Sequence, residues 1–132
     1  MEKVKLLTVK NLSVGYRTEG RIARAVNGID LTICEGETLG LVGETGAGKT
    51  TTALSLLKLL PNPGRVSLMD ADEVKFGDTD ILHASEAEMR AVRGNLISMI
   101  FQDPMTSLNP VLTIGSQIEE AVKLHYEKLS KD

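Results

Sequence analysis

Cysteine is almost missing from this chain: Cys34 is the one example among 132 residues, so an intramolecular disulfide framework is excluded. Histidine is scarce too, with only His83 and His125. Without a second cysteine these cannot form a Cys/His zinc cluster. There is no surplus of positive charge either. Lys and Arg total 15 against 18 for Asp and Glu, a net charge of −3, so nothing draws the chain globally to phosphate backbones, and non-specific nucleic-acid binding is disfavoured. No apolar run approaches the roughly 20 residues of a membrane-spanning helix. Met1–Lys5 leads into an alternating pattern rather than the apolar core of a signal peptide. These absences fit a cytoplasmic chain whose membrane role, if it has one, comes through a partner. What remains is ordinary for one globular domain, at 42% hydrophobic and 25% charged.

Apolar residues fall at every second position in Leu12-Ser13-Val14-Gly15-Tyr16 and again in Ile29-Asp30-Leu31-Thr32-Ile33, which predicts two strands with one buried face each. Arg17–Arg24 between them reads as a polar, solvated, hairpin-like loop, Glu19 offsetting Arg17, Arg21 and Arg24. Glu35-Gly36-Glu37 reads as a turn. Leu39-Gly40-Leu41-Val42 has the nearly continuous apolar character of a strand buried on both faces. From Lys49 to Leu60 there is neither Gly nor Pro, and Ala53, Leu56, Leu57 and Leu60 recur at helical spacing until Pro61-Asn62-Pro63-Gly64 ends the segment. Val74-Lys75-Phe76-Gly77 begins a further strand and turn, and Ser85 with Glu88 forms a capping box for a short helix through Val92. Leu96-Ile97-Ser98-Met99-Ile100-Phe101 reads as another strand, followed by the polar loop Gln102–Pro110. Thr113 then opens a last helix with Ile118, Ala121, Val122 and His125 on one side. No internal repeat is visible.

Chemistry enters at Gly43-Glu44-Thr45-Gly46-Ala47-Gly48-Lys49-Thr50, which matches the phosphate-loop pattern G-x-x-x-x-G-K-[ST]. It follows a predicted strand and opens a predicted helix, so backbone N–H groups and the helix N-terminus converge on one anion. Glycines at 43, 46 and 48 let the backbone wrap closely, because a Cβ there would meet phosphate oxygens or forbid positive φ. Lys49 would reach the β- and γ-phosphates, and the Thr50 hydroxyl would ligate Mg²⁺. The same loop without its flanks would suit kinases, GTPases, helicases and transport ATPases alike.

The flanks narrow the choice. Leu12–Tyr16, Ala25-Val26-Asn27-Gly28-Ile29-Asp30-Leu31, Gly36–Glu44 and above all Ile100-Phe101-Gln102-Asp103-Pro104-Met105-Thr106-Ser107-Leu108-Asn109-Pro110 resemble the ATP-binding cassette (ABC) ATPases, in particular the ATP-binding subunits of oligopeptide, dipeptide and nickel importers. The resemblance runs from Val4 to about His125. It implies an α/β fold of the P-loop NTPase class and ABC-ATPase type. Residues 1–37 would form an antiparallel β-region, 38–112 a partial parallel-sheet nucleotide core through the Q-loop, and 113–132 the start of a helical subdomain. The ATP-binding set it implies is Tyr16, as the adenine-stacking aromatic of the A-loop, with Gly43, Glu44, Thr45, Gly46, Ala47, Gly48, Lys49, Thr50 and Thr51. Gln102 matches the Q-loop glutamine, which in the family contacts Mg²⁺ and the attacking water, so Thr50 and Gln102 are the expected Mg²⁺ residues. An amide suits that work because it accepts and donates at once. Tyr16 also reads as a tyrosine buried on a strand, and Gln102 as a polar loop residue.

The family's L-S-G-G-Q-like signature, its Walker B strand, D-loop and switch histidine do not occur before Asp132, so the sequence looks like the N-terminal part of a longer subunit. Glu119-Glu120 lack an apolar run ahead of them and read as a solvated helix face. The catalytic set is therefore incomplete: Lys49 and Gln102 contribute, and efficient turnover by this chain alone is not expected. ATP and Mg²⁺ are the implied cofactors. The implied partners are transmembrane permease subunits and a second ATP-binding subunit, with no nucleic acid and no direct membrane insertion, at the inner face of the plasma membrane. A non-transport ABC ATPase and a truncated nucleotide-binding module without coupling remain as alternatives.

Overall fold

A computed structural model describes residues 3–62, 67–103 and 107–126. Pro63, Gly64 and Pro104–Thr106, which belong to segments singled out above, lie outside the described residues. The chain divides into two compact units, Met1–Met89 and Arg90–Asp132.

The first unit is built on a long antiparallel hairpin, β1 (Lys5–Thr18) and β2 (Arg21–Cys34). The expected loop Arg17–Arg24 is absent, because the strands run on to a two-residue turn at Glu19-Gly20. Both turn residues have positive φ, 43° and 81°, the geometry that matches the twist of the flanking strands. Arg17, Arg21 and Arg24 are therefore ladder residues. Leu7, Val9, Leu12 and Val14 are all buried although the step from 9 to 12 breaks the period of two. A register shift between Val9 and Leu12 absorbs the extra residue, with Asn11 at φ 51°, so the apolar face stays continuous. A second shift sets two β2 residues, Arg24 and Val26, against the successive Gly15 and Val14, and Ala25 bulges between them.

β3 (Ser67–Asp70) and β4 (Glu73–Phe76) pair with the two halves of β1, and β5 (Thr79–Asp80) pairs with β4, all antiparallel. The helix α1 runs Lys49–Leu56, four residues shorter than its apolar spacing predicts. Lys58 adopts a positive φ of 50°. The N–H groups of Leu59 and Lys58 then turn back to the carbonyls of Leu54 and Ser55, the paired bonds that close a helix C-terminus. Leu57 and Leu60 are still buried beyond it. The capping box forms as expected: Glu88 Oε2 accepts from the Ser85 backbone N–H at 2.7 Å, and Ser85 Oγ accepts from the Glu88 N–H at 3.3 Å, opening α2 (Glu86–Val92).

Two expected strands do not form. Leu39–Val42 and Leu96–Phe101 join no ladder among the described residues; the second makes only an isolated parallel bridge, Arg93 to Ile97. Val42 is 94% and Ile100 98% exposed. An apolar run becomes a strand only where a neighbour takes up its N–H and C=O groups, and the strands of the first unit's sheet pair antiparallel with one another. The fold is α/β, with an open antiparallel sheet and few helices.

In the second unit α3 (Ile114–His125) is capped by Thr113, whose side chain accepts from the Ser116 N–H. No α3 residue is buried. Ile118 and Val122, on the side of the helix they share with Ala121 and His125, are exposed. Glu119 pairs with Lys123 at 2.7 Å, consistent with a solvated face.

Acid sensitivity follows from carboxylates of the first unit, among them half-buried Glu73 and exposed Glu88 and Glu37. The Lys10 ammonium, then that of Lys75, holds Glu73 below its ordinary 4.5. Hydrogen bonds from the Ser85 hydroxyl and backbone lower Glu88, and the Cys34 backbone N–H lowers Glu37. Folded-state values depressed below unfolded ones add stability above the unfolded value, and this is lost as pH falls through the folded ones. The urea midpoint should be flat from neutral pH to about 5 and fall below 4.5. In Glu73→Gln the fall should be shallower. A midpoint unchanged to about pH 3 contradicts the assignment.

Candidate functional site

The loop Gly43–Thr50 turns at Thr45-Gly46, where the Ala47 N–H reaches the Glu44 carbonyl at 3.1 Å. Gly46 and Gly48 take φ of 83° and 85°, the left-handed region that favours glycine; Gly43 does not. Gly48 is the N-cap of α1 and gives no side-chain cap, and no acidic residue stands in the first turn. The helical ladder starts with the Thr52 N–H to the Gly48 carbonyl at 2.8 Å. The positive end of the helix is thus not neutralised by its own turn. Lys49 folds back over the loop, its Nζ donating to the carbonyls of Gly43 and Glu44, both at 2.6 Å. Thr50 is exposed. An ammonium, the open N-terminus of a helix and an accessible hydroxyl make a donor set that fits the phosphates of a nucleoside triphosphate.

Tyr16 stands on β1, opposite Ala23 of β2 and Ser67 of β3, and is half-buried. Its hydroxyl lies 3.3 Å from Thr51 Oγ1 on α1. The first unit therefore brings Tyr16, Thr51 and the whole loop Gly43–Thr50 together across 35 residues of sequence. Gln102 belongs to the second unit, in an exposed segment. A groove of about 650 Å³ in that unit, lined by Leu108, Asn109, Leu112, Gln117, Ile118 and Tyr126 among others, contains none of the expected nucleotide residues. Among the described residues no three His, Cys, Asp or Glu side chains gather as a metal site, and no helix is long and apolar enough to cross a membrane.

Positive φ at Gly48 is as expected, but sequence reasoning missed a second demand for glycine there. A Cβ there would lie 2.3 Å from the carbonyl oxygen of Ala25, the bulge residue of β2. The hairpin braces the loop from behind. Asn27-Gly28, next to the bulge, is the local hint of irregular pairing; nothing local points from Ala25 to Gly48.

Known proteins share this arrangement of sequence. The ATP-binding protein YejF of Escherichia coli K12, described as an uncharacterized ABC transporter component, is 50% identical over 120 residues, covering 91% of this chain and 22% of its own. The oligopeptide transport ATP-binding protein OppD of Bacillus subtilis 168 is 44% identical over 97% of this chain and 35% of its own. The dipeptide transport ATP-binding protein DppD of the same organism is 47% identical over 99% and 38%. The chain thus spans between about a fifth and two fifths of the length of these relatives. The family model for ABC transporters matches residues 26–131, and the chain belongs to that family.

Proposed function

We propose that this chain carries the nucleotide-binding portion of an ATP-binding, energy-coupling subunit of an importer for peptides or related solutes. The observation that carries the reading is the phosphate loop, clasped by Lys49 at the N-terminus of α1, with an aromatic ring docked on the same helix. The importer class is suggested by the oligopeptide and dipeptide relatives. Permease subunits and a second ATP-binding subunit are the proposed partners, at the inner face of the plasma membrane.

When bound, ATP supplies the phosphoanhydride and Mg²⁺ neutralises its oxygens. The first-turn N–H groups of α1 would orient the phosphates, the Lys49 ammonium would swing from the loop carbonyls to them, and Tyr16 would offer its ring to the base. Thr50 and Gln102 are the proposed cation residues. Gly43, Glu44, Thr45, Gly46, Ala47 and Gly48 shape the cradle.

The one carboxylate among these groups is Glu44, on the exposed loop itself, where its proposed part is in the cradle and not that of a base; Glu119 is engaged by Lys123 on an exposed helix. Purified residues 1–132 should therefore bind ATP weakly at best, without added DNA or RNA, and release phosphate no faster than a Lys49→Ala control. Co-purification with permease subunits is expected of the coupling reading and not of a non-transport ATPase or an uncoupled module. Lys49-dependent turnover at about 1 per second or more would falsify the catalytic part and bring Glu119 or Glu120 to the γ-phosphate.

A further inference from the structure

Stacking a base needs only the face of an aromatic ring, so the hydroxyl of Tyr16 is superfluous to that role. Yet it sits 3.3 Å from Thr51 Oγ1, on the turn of α1 that also holds Lys49 and Thr50. Directly opposite Tyr16 on β2 stands a small residue, Ala23.

We infer that the Tyr16 and Thr51 hydroxyls form a strut that fixes the span between the base-stacking ring and the phosphate-binding turn, which makes Thr51 a positioning residue for the nucleoside. The inference rests on the nucleotide reading above. A ring tied at its tip has its torsions set before the nucleotide arrives, so less freedom is lost on binding. The tie joins two elements, β1 and α1, that are remote in sequence, whereas the close approach of Ala25 to Gly48 links the helix N-cap to β2. At 3.3 Å the bond is longer than a typical O–H···O bond, and its effect on affinity is correspondingly modest.

The experiment is a double-mutant cycle on residues 1–132, with Tyr16→Phe, Thr51→Val and the pair, by titration with ATP and again with inorganic triphosphate, which has no base to place. With ATP, each single change should raise Kd about two- to tenfold, and the pair should be no worse than the weaker-binding single. Thr51→Ser, which keeps the oxygen, should recover most of the loss. The coupling should be absent with triphosphate. Tyr16→Phe binding ATP like the wild type, or additive losses, overturns the strut while leaving the nucleotide reading intact if Tyr16→Ala still binds poorly. Equal coupling with both ligands makes the contact structural and also overturns it. Wild type that binds no ATP, or Tyr16→Ala that binds it undiminished, removes the base-stacking reading and the strut with it.

Discussion

Replacing Lys49 by alanine is expected to weaken Mg-ATP binding roughly 10- to 100-fold. A charge-assisted hydrogen bond contributes about 1.5–3 kcal/mol, and each 1.4 kcal/mol is about tenfold in Kd. The geometry adds a second reason for a large effect. The Lys49 ammonium closes the loop on itself through the Gly43 and Glu44 carbonyls, so alanine removes both the phosphate contact and the clasp that shapes the cradle. Lys49→Arg separates the two: it keeps a cation, but its planar fork replaces a compact ammonium that meets two carbonyls at 2.6 Å. Arginine should therefore bind better than alanine and worse than the wild type. Titration with a fluorescent ATP analogue checks the order. Unchanged affinity in Lys49→Ala, with measurable wild-type binding, means the loop does not hold phosphate through this residue.

Local chemistry was legible in the sequence wherever it was decided locally. The capping box of Ser85 and Glu88, the turn at Glu35-Gly36-Glu37, the Thr113 cap and the helix opening at Lys49 all depend on residues within a few positions of each other, and all form. Long-range pairing decided the rest. The apolar run Leu39–Val42 has the pattern of a buried strand, but a pattern specifies a face and not a neighbour, and no described strand pairs with it. The same holds for Leu96–Phe101. The end of α1 departs from its apolar spacing for a different reason: Leu57 and Leu60 are buried, as their spacing suggests, yet Lys58 takes a left-handed conformation that leucine periodicity does not encode. At the site, the motif pointed to the loop Gly43–Thr50 and the family resemblance to Tyr16. Neither indicated that the Tyr16 hydroxyl would meet Thr51 or that β2 would press on the loop, because both contacts come from the hairpin folding back over α1.

That pressure makes Gly48 the most sensitive glycine of the loop. Gly46 and Gly48 have nearly the same φ, 83° and 85°, so an alanine at either position carries the left-handed cost of about 1–2 kcal/mol. Their surroundings differ. A Cβ at Gly46 meets nothing within 4 Å, whereas at Gly48 it would stand 2.3 Å from the Ala25 carbonyl oxygen and 3.3 Å from Val26 Cγ2. Backbone cannot swing aside as a flexible side chain does, and Ala25 is held on either side by the pairs Val14 to Val26 and Gly15 to Arg24. Overpacking of this kind costs about 1–3 kcal/mol. Gly48→Ala should thus be less stable than Gly46→Ala by that margin, a large part of the roughly 5–15 kcal/mol of a small domain. Urea unfolding of the two variants side by side measures the difference. ATP affinity should fall further in Gly48→Ala as well, because the bulge would push the N-cap and the first turn of α1 out of place. Equal stabilities would show that the glycines serve only their own backbone angles, and that the hairpin does not brace the phosphate loop.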